Sequence, residues 1–352
     1  MRLLSSEKRK KKIQMQVKIL KDIFLKPEYI DQLNNLLKYF RSGKHNLIIE
    51  DYDDIEAFKN SEWFKELNPR DLKIINKYII ASTKRDKSYK LINISSLNNN
   101  DYFEPVEADK FLDQPLTILV ENSEYDSLFM NVIFNFFDDS SIILESLNEN
   151  WAKYGMGGGS SIVNVINSEL NNSFNHHSFT KDKKIYFRIF AILDSDKKYP
   201  AMVYESQSEK KLKENSINYH VLYKREKENY VPYQILKTLN DPFFNIYVNF
   251  KDQDQKDYFD LEKGFDNKNK DKLQVEVGEL YENISVDDYK VLRKGTTYED
   301  YKNAGNFKKE FSKLFNHKKI TQDMLLEVIK NQKKIGSLNE FEHIIKEIKK
   351  IL

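Results

Sequence analysis

Three carboxylates stand where apolar runs of the sequence end. Glu121 follows the run at 116–120, and Asp194 and Asp196 follow the run at 185–193. Such β-rich apolar runs are typical of buried parallel strands, whose carboxyl ends face the ligand in open α/β sheets. Residues two apart on a strand point to one face, so Asp194 and Asp196 can share one cation. Oxygen ligands of this kind predict a Mg²⁺ site.

The chemistry that such a site supports is attack on a phosphodiester. A bound metal activates the nucleophile and neutralises charge on the scissile phosphate. Glu121 is a candidate ligand or general base, and Asp126, near the start of the next predicted helix, is a candidate fourth ligand. The alternative is that Glu121 or Asp126 only caps that helix, because acidic residues favour helix starts.

The elements that must position these acids alternate between strand and helix. The sequence predicts strands over 116–121, 141–144, 185–193 and 219–223, with helices over 125–137, 160–170 and 208–215. This order predicts a parallel, Rossmann-like sheet with right-handed crossovers and helices on both faces. The fold class is therefore α/β, and the α/β domain is expected to span residues 114–265.

Helical regions are predicted on either side of this domain. In residues 1–113, amphipathic patterns predict helices over 13–40, broken near Pro27, and over 58–84, while the polar segment 95–113 is interpreted as a linker. In residues 266–352, the final helix has a predicted capping box of Ser337 and Glu340. These last helices either pack on the α/β domain or form a surface for a partner.

Composition narrows the class of protein. The chain has 352 residues, a net charge of +2 and no cysteine, which excludes disulfides, thiolate zinc sites and cysteine nucleophiles and fits a cytoplasmic protein. No apolar run is long enough to span a membrane, and the N-terminus lacks the apolar segment of a secretory signal. The basic run at 8–12 is either a phosphate-contacting arm or a solvated helix start.

The motifs around these acids resemble a Toprim domain, the metal-binding α/β module of topoisomerases, primases and OLD-type nucleases. The matching pieces are ILVENSEYD, the GGGSS turn and LDSD. With HVLYKREKENYVP and DYFDLEKG added, residues 115–265 more closely resemble Toprim-like proteins of prokaryotic defence loci, including the toxin nuclease of PARIS-type anti-phage systems. Toprim domains usually carry Gly after the first acid, whereas this chain has Asn122, which bears on substrate geometry more than on metal binding.

The resemblance implies a nuclease that uses Mg²⁺ or Mn²⁺ and acts on DNA, tRNA or other RNA in anti-phage defence. It implies that Glu121 is the essential acid and that Asp194 and Asp196 are metal ligands. Glu228 is implied as an additional site residue. The rival hypothesis is a non-catalytic Toprim-like scaffold, in which the terminal helices carry the interaction with a partner.

Three basic residues are candidates for phosphate contact. Lys224 and Arg225 follow the fourth predicted strand, where the alternative is a charged surface turn. Lys263, by the resemblance, matches the phosphate-contacting lysine of OLD-type nucleases. The glycines at 155–159 lack the GK[ST] of a P-loop, so no ATPase is predicted in the chain. A partner ATPase or sensor is therefore expected to control the protein, and a homo-oligomer is compatible with the sequence.

Overall fold

The computed structural model of the chain describes residues 15–84, 90–97, 99, 101–157, 161–168, 186–265, 267–302 and 306–352. The strands are β1 (Gln16–Ile19), β2 (Asn46–Ile48), β3 (Leu91–Ile94), β4 (Tyr102–Phe103), β5 (Leu116–Val120), β6 (Ala152–Met156), β7 (Ile189–Leu193) and β8 (Asn218–Val221). They form two parallel sheets of four strands, in the orders β2-β1-β3-β4 and β6-β5-β7-β8. The predicted α/β class is confirmed.

Helices connect the strands and form most of the C-terminal region. They are α1 (Lys21–Phe24), α2 (Ile30–Ser42), α3 (Tyr52–Asn60), α4 (Glu62–Glu66), α5 (Pro69–Ser82), α6 (Pro105–Asp113), α7 (Asp126–Phe137), α8 (Ile142–Asn148), α9 (Ser161–Ser168), α10 (Gln207–Glu214), α11 (Tyr233–Lys237), α12 (Pro242–Val248), α13 (Gln253–Tyr258), α14 (Val275–Leu280), α15 (Val286–Lys294), α16 (Glu299–Lys302), α17 (Phe307–Ser312), α18 (Gln322–Ile329) and α19 (Glu340–Ile351). None of the helices in the described ranges combines the length and apolar character needed to span a lipid bilayer.

The second sheet is buried on both faces. Along β7, Phe190 and Ile192 belong to an apolar core with α7, α8 and the C-terminal helices. The alternate residues Ile189, Ala191 and Leu193 belong to another core, which includes α9, α10 and the first sheet. Because neighbouring side chains of a strand point to opposite faces, a strand covered on both sides needs an apolar residue at every position. This requirement explains why β7 is visible in the sequence as a continuous apolar run.

The N-terminal region contains a sheet that its helical pattern does not predict. The predicted helix over 13–26 is wrong at β1, which pairs in parallel with β2 and β3. Short apolar runs of this kind fit a strand or a buried helix equally well, and only the distant pairing partners decide. The predicted linker at 95–113 is instead β4 and α6, where Pro105 starts the helix and Glu104 and Glu107 form a capping box.

Two further differences concern the α/β domain and the last helix. The predicted strand at 141–144 is wrong, because this segment begins α8, and the sheet is completed by β6. In β6, Gly155 packs so closely on β5 that an added Cβ would lie 2.6 Å from a methyl carbon of Thr117. The capping box of α19 is formed by Asn339 and Glu342, not by Ser337 and Glu340. The basic run at 8–12 and residues 158–160 of the glycine turn lie outside the described residues.

Glu340 connects the last helix, α19, to the second sheet through hydrogen bonds. Its Oε1 atom accepts a hydrogen bond from the backbone N–H of Tyr223 at 2.8 Å and lies 2.9 Å from His220 Nε2. Its Oε2 atom accepts from the Tyr230 hydroxyl at 2.6 Å. Because these partners follow or belong to β8, α19 packs on the α/β domain. Of the two arrangements predicted for the final helices, α19 shows the packing on the α/β domain; a partner surface stays a prediction.

Candidate metal centre

Two adjacent strands bring the first pair of acids together. β5 and β7 are parallel neighbours, with Thr117 opposite Ile189 and Leu119 opposite Ala191. Glu121 follows β5 and Asp194 follows β7, so both lie at the carboxyl edge of the sheet. Their carboxyl groups lie close enough for each to shift the pKa of the other. Two acids this close repel each other when both are charged, so a proton or a cation between them is favourable.

The pKa values of this pair are shifted in opposite directions. Burial raises the pKa of Asp194 well above its usual value; the charge of Lys227 opposes this shift, and those of Glu228 and Glu226 add to it. Burial acts in the same direction on Glu121, but the ammonium groups of Lys308 and Lys227 reverse the effect and lower its pKa. Glu121 is therefore the charged partner, which suits a cation ligand.

Asp196 joins Glu121 and Asp194 in an acidic cluster at the sheet edge. A tight loop, and not strand geometry, places it there. β7 ends at Leu193, and Asp196 has a positive φ of 54°, a conformation that Asp tolerates better than most residues. The backbone N–H groups of Ser195 and Asp196 both donate to the carbonyl of Arg225 at 3.0 Å. The predicted sharing of one strand face by Asp194 and Asp196 is therefore wrong. Asp196 nevertheless lies close enough to Glu121 for that charge to raise its pKa, after burial as the main cause.

Asp126 has both a structural contact and a contact to the cluster. Its Oδ2 atom accepts from the backbone N–H of Asn122 at 2.9 Å, and its Oδ1 atom lies 2.8 Å from Lys227 Nζ. Asn122 in turn accepts from the backbone N–H groups of Glu124 and Tyr125. Asp126 and Asn122 thus brace the turn between β5 and α7. This bracing gives Asn122 a local role at the position where Toprim domains usually carry Gly.

Glu228 contributes a fully buried carboxylate to the cluster. It lies in the short helical turn Lys227–Tyr230 and is fully buried, and neither carboxylate oxygen has a hydrogen-bond donor. Lys227 Nζ is 3.3 Å from Glu228 Oε1, which is an ion-pair contact without hydrogen-bond geometry. A buried carboxylate without donors is costly unless a cation accompanies it. The oxygen-only set of side chains, with two oxygens that accept no hydrogen bond, fits a hard divalent ion such as Mg²⁺ or Mn²⁺.

Two lysines that sequence reasoning missed neutralise part of this charge. Lys227 is nearly fully buried; besides its side-chain contacts, its backbone N–H donates to Asp194 Oδ1 at 3.1 Å. Lys308, at the start of α17, places its Nζ atom 3.2 Å from Glu121 Oε2. Lys227 lies inside the segment already singled out around Glu228. Nothing in the local sequence of Lys308 indicates the site, because its partner lies 187 residues away.

The predicted phosphate contact of Lys224 is wrong in this structure. Lys224 is fully buried, and its ammonium group lies 2.5 Å from Asp257 Oδ1. The ring centroids of Tyr230 and Tyr233 are 5.3 and 5.9 Å from the same ammonium group. A side chain enclosed by an acid and two aromatic rings has no access to a substrate on the surface, so Lys224 has a structural role.

Arg225 and Lys263 are placed differently from Lys224. The Arg225 side chain is 14% exposed and donates to Asp260 Oδ2 at 2.8 Å and to Glu226 Oε1 at 3.3 Å. Its charge also acts on Asp196, so it borders the cluster. Lys263 is exposed, and its backbone N–H donates to Asp260 Oδ1 at 2.7 Å. The Arg225 cation therefore lies against Asp260 at the rim of the site, and the Lys263 backbone contacts the same acid.

Glu226 has a pKa suited to proton transfer near neutrality. Burial, with added repulsion from Glu228 and Asp260, raises the pKa of Glu226 to about 7. In the unfolded chain the carboxyl group releases its proton near 4.5. Between these values the folded protein holds a proton that the unfolded chain has lost, so raising the pH favours unfolding.

We therefore expect the metal-free protein to lose stability as the pH rises from about 5 to 8. Glu226→Gln removes the ionising group, and the loss should shrink by up to about 3 kcal/mol. Urea denaturation in EDTA at pH 5, 6, 7 and 8 measures the effect, with the exposed Glu66→Gln as the control. Parallel pH curves for wild type and Glu226→Gln would contradict the burial of this carboxyl group.

Among the described residues, no group of three or more His, Asp or Glu side chains is already arranged to hold a metal ion. The chain matches no protein-family model, no curated protein and no solved structure. Its function is therefore inferred from the geometry and charge of the acids at the sheet edge.

Proposed function

We propose that this chain is a Mg²⁺- or Mn²⁺-dependent nuclease of the Toprim-like type, which hydrolyses phosphodiester bonds of DNA or RNA. The observation that carries the proposal is that Glu121 and Asp194 end adjacent parallel strands and lie close enough to shift each other's pKa. Asp196 borders this pair, and Glu228 supplies a buried carboxylate whose oxygens lack donors. Clustered carboxylates supply the oxygen ligands that hard divalent cations prefer.

Each side chain has a distinct part in the proposed reaction. Glu121, Asp194 and Asp196 would hold the metal, with Glu228 and Asp126 as supporting oxygen donors. The bound metal would activate water and neutralise charge on the phosphate. The hydrogen bonds from Ser195 and Asp196 to the carbonyl of Arg225 hold the loop after β7 in place.

Glu226 and the rim cations serve proton transfer and substrate contact. Because burial raises the pKa of Glu226 to about 7, this group can accept or donate a proton at neutral pH. Arg225 is fixed by Asp260 and Glu226, and it presents a positive charge beside Asp196. Lys263 is exposed, and its backbone N–H contacts Asp260. It is the second candidate for phosphate contact.

The biological setting of the proposal follows from the motifs. The resemblance to the toxin nucleases of PARIS-type systems supports a cytoplasmic effector of anti-phage defence. A partner ATPase or sensor would restrain or trigger the nuclease, since the sequence has no P-loop of its own. DNA, tRNA and other RNA are all candidate substrates.

The second candidate function is a non-catalytic scaffold, and one observation favours it. Lys227 is almost fully buried between Asp126 and Glu228, so part of the acidic charge is balanced by the protein itself. A structural ion-pair cluster of this kind would need no metal. The two functions differ in whether the site takes up a divalent ion.

The test combines cleavage with metal binding. The purified full chain is incubated with plasmid DNA, single-stranded DNA and tRNA in Mn²⁺, Mg²⁺ or EDTA, and Mn²⁺ binding is measured by calorimetry. We expect metal-dependent cleavage of at least one substrate, lost in Glu121→Gln and retained in Glu124→Gln, an exposed acid on the same loop. A chain that neither binds Mn²⁺ nor cuts any of these substrates would favour the scaffold.

A further inference from the structure

The C-terminal region contributes one side chain to the acidic cluster. Lys308 lies on α17, and its Nζ atom donates a hydrogen bond to Glu121 Oε2 at 3.2 Å. The preceding residue, Phe307, is fully buried in the apolar core shared with α7, which anchors the start of this helix. Lys308 is therefore held beside the site by the packing of a region outside the predicted α/β domain.

The charge of Lys308 acts on most of the acids in the cluster. It interacts with Glu121, Glu228 and Asp194. It also interacts with Asp196 and, at the rim of the site, with two further acids, Glu226 and Glu262. The Lys308 ammonium group thus balances part of the charge of several acids, which is what a divalent ion would also do.

Lys308 differs from Lys227 in its freedom to move. The Lys308 side chain is 36% exposed, whereas the Lys227 side chain is 3% exposed and lies between Asp126 and Glu228. A lysine with a flexible four-carbon stem and open solvent on one side can move away from its partner into water. Lys227 has no such route, so it would stay in place when another cation arrives.

We propose that Lys308 and the divalent metal compete for Glu121, so that metal binding displaces the Lys308 ammonium group from the cluster. The inference rests on the proposed metal site and adds a means of regulating it. Like charges a few ångströms apart repel strongly in a partly buried site, so each cation weakens the binding of the other to the same carboxylate. Displaced Lys308 stays tethered beside the site, where a substrate phosphate offers it a new partner.

The experiment compares Lys308→Met with Lys309→Met by calorimetry of Mn²⁺ binding to the full-length protein. Lys309 is the neighbouring residue on α17 and is exposed, so the two variants lose the same charge from the same helix. We expect Lys308→Met to bind Mn²⁺ on the order of ten-fold more tightly than wild type. Lys309→Met should differ from wild type by less than about two-fold, because exposed charges are screened.

Thermal unfolding supplies a second readout that does not depend on cleavage. In EDTA, Lys308→Met should melt below wild type, because Glu121 loses its counter-charge. With saturating Mn²⁺ the variant should gain more in Tm than wild type does. Equal or weaker Mn²⁺ binding by Lys308→Met would overturn the competition, whereas absence of Mn²⁺ binding in both proteins would instead overturn the proposed metal site.

Discussion

Asp194→Asn is expected to abolish measurable binding of Mn²⁺ and to lower metal-dependent phosphodiester cleavage by on the order of a thousand-fold or more. Asparagine keeps the size of the side chain and one oxygen acceptor for the backbone N–H of Lys227. It removes the ionisable oxygen that a divalent ion requires. The measurement is calorimetry with Mn²⁺, followed by cleavage assays on the substrates that wild type cuts.

The control for this variant is Asp139→Asn, an exposed acid after α7. Folding is checked separately by thermal unfolding in EDTA. Because burial and nearby acids already raise the pKa of Asp194, a neutral amide should leave the metal-free protein as stable as wild type or more so. An Asp194→Asn protein that is folded and still binds Mn²⁺ with wild-type affinity would remove Asp194 from the metal site.

Lys227→Met is expected to lower the free energy of unfolding by about 3–5 kcal/mol in the absence of metal. The Lys227 ammonium group contacts Asp126 at 2.8 Å and Glu228 at 3.3 Å, and it is nearly fully buried. Methionine fills the same space but leaves the two carboxylates without a counter-charge. Urea denaturation in EDTA measures the loss.

A second substitution separates charge from packing in this prediction. Adding Glu228→Gln to Lys227→Met removes one of the uncompensated acids, so part of the lost stability should return. The control is Lys237→Met, an exposed lysine at the end of α11, which should change stability by less than about 0.5 kcal/mol. If Lys227→Met changes the free energy of unfolding as little as this control does, the buried ion pairs do not stabilise the fold.

The core of the candidate site was predictable from local sequence. Strands that are buried on both faces require apolar residues at successive positions, so β5 and β7 stand out, and Glu121 and Asp194 follow them directly. Parallel strands place their carboxyl ends at one edge, which brings these two acids together. Helix α7 was equally visible, because its long apolar run exceeds the length of a strand.

Other features depend on contacts between segments far apart in the chain. β6 has only one fully buried residue and becomes a strand through pairing with β5, so its sequence carries little signal. The first sheet likewise arises because β1 meets β2 and β3. In such strands the hydrogen-bond partners, and not the local pattern, decide the structure.

Sequence alone determined the α/β class, which acids follow the buried strands, and the sheet edge at which Glu121 and Asp194 meet. Only the tertiary structure decided which charged side chains surround these two acids. It buried Lys224 against Asp257, and it brought Lys308 from the C-terminal region to Glu121. The reason is physical: strand formation and burial follow from neighbouring residues, whereas the partner of a charged side chain is set by how distant elements pack.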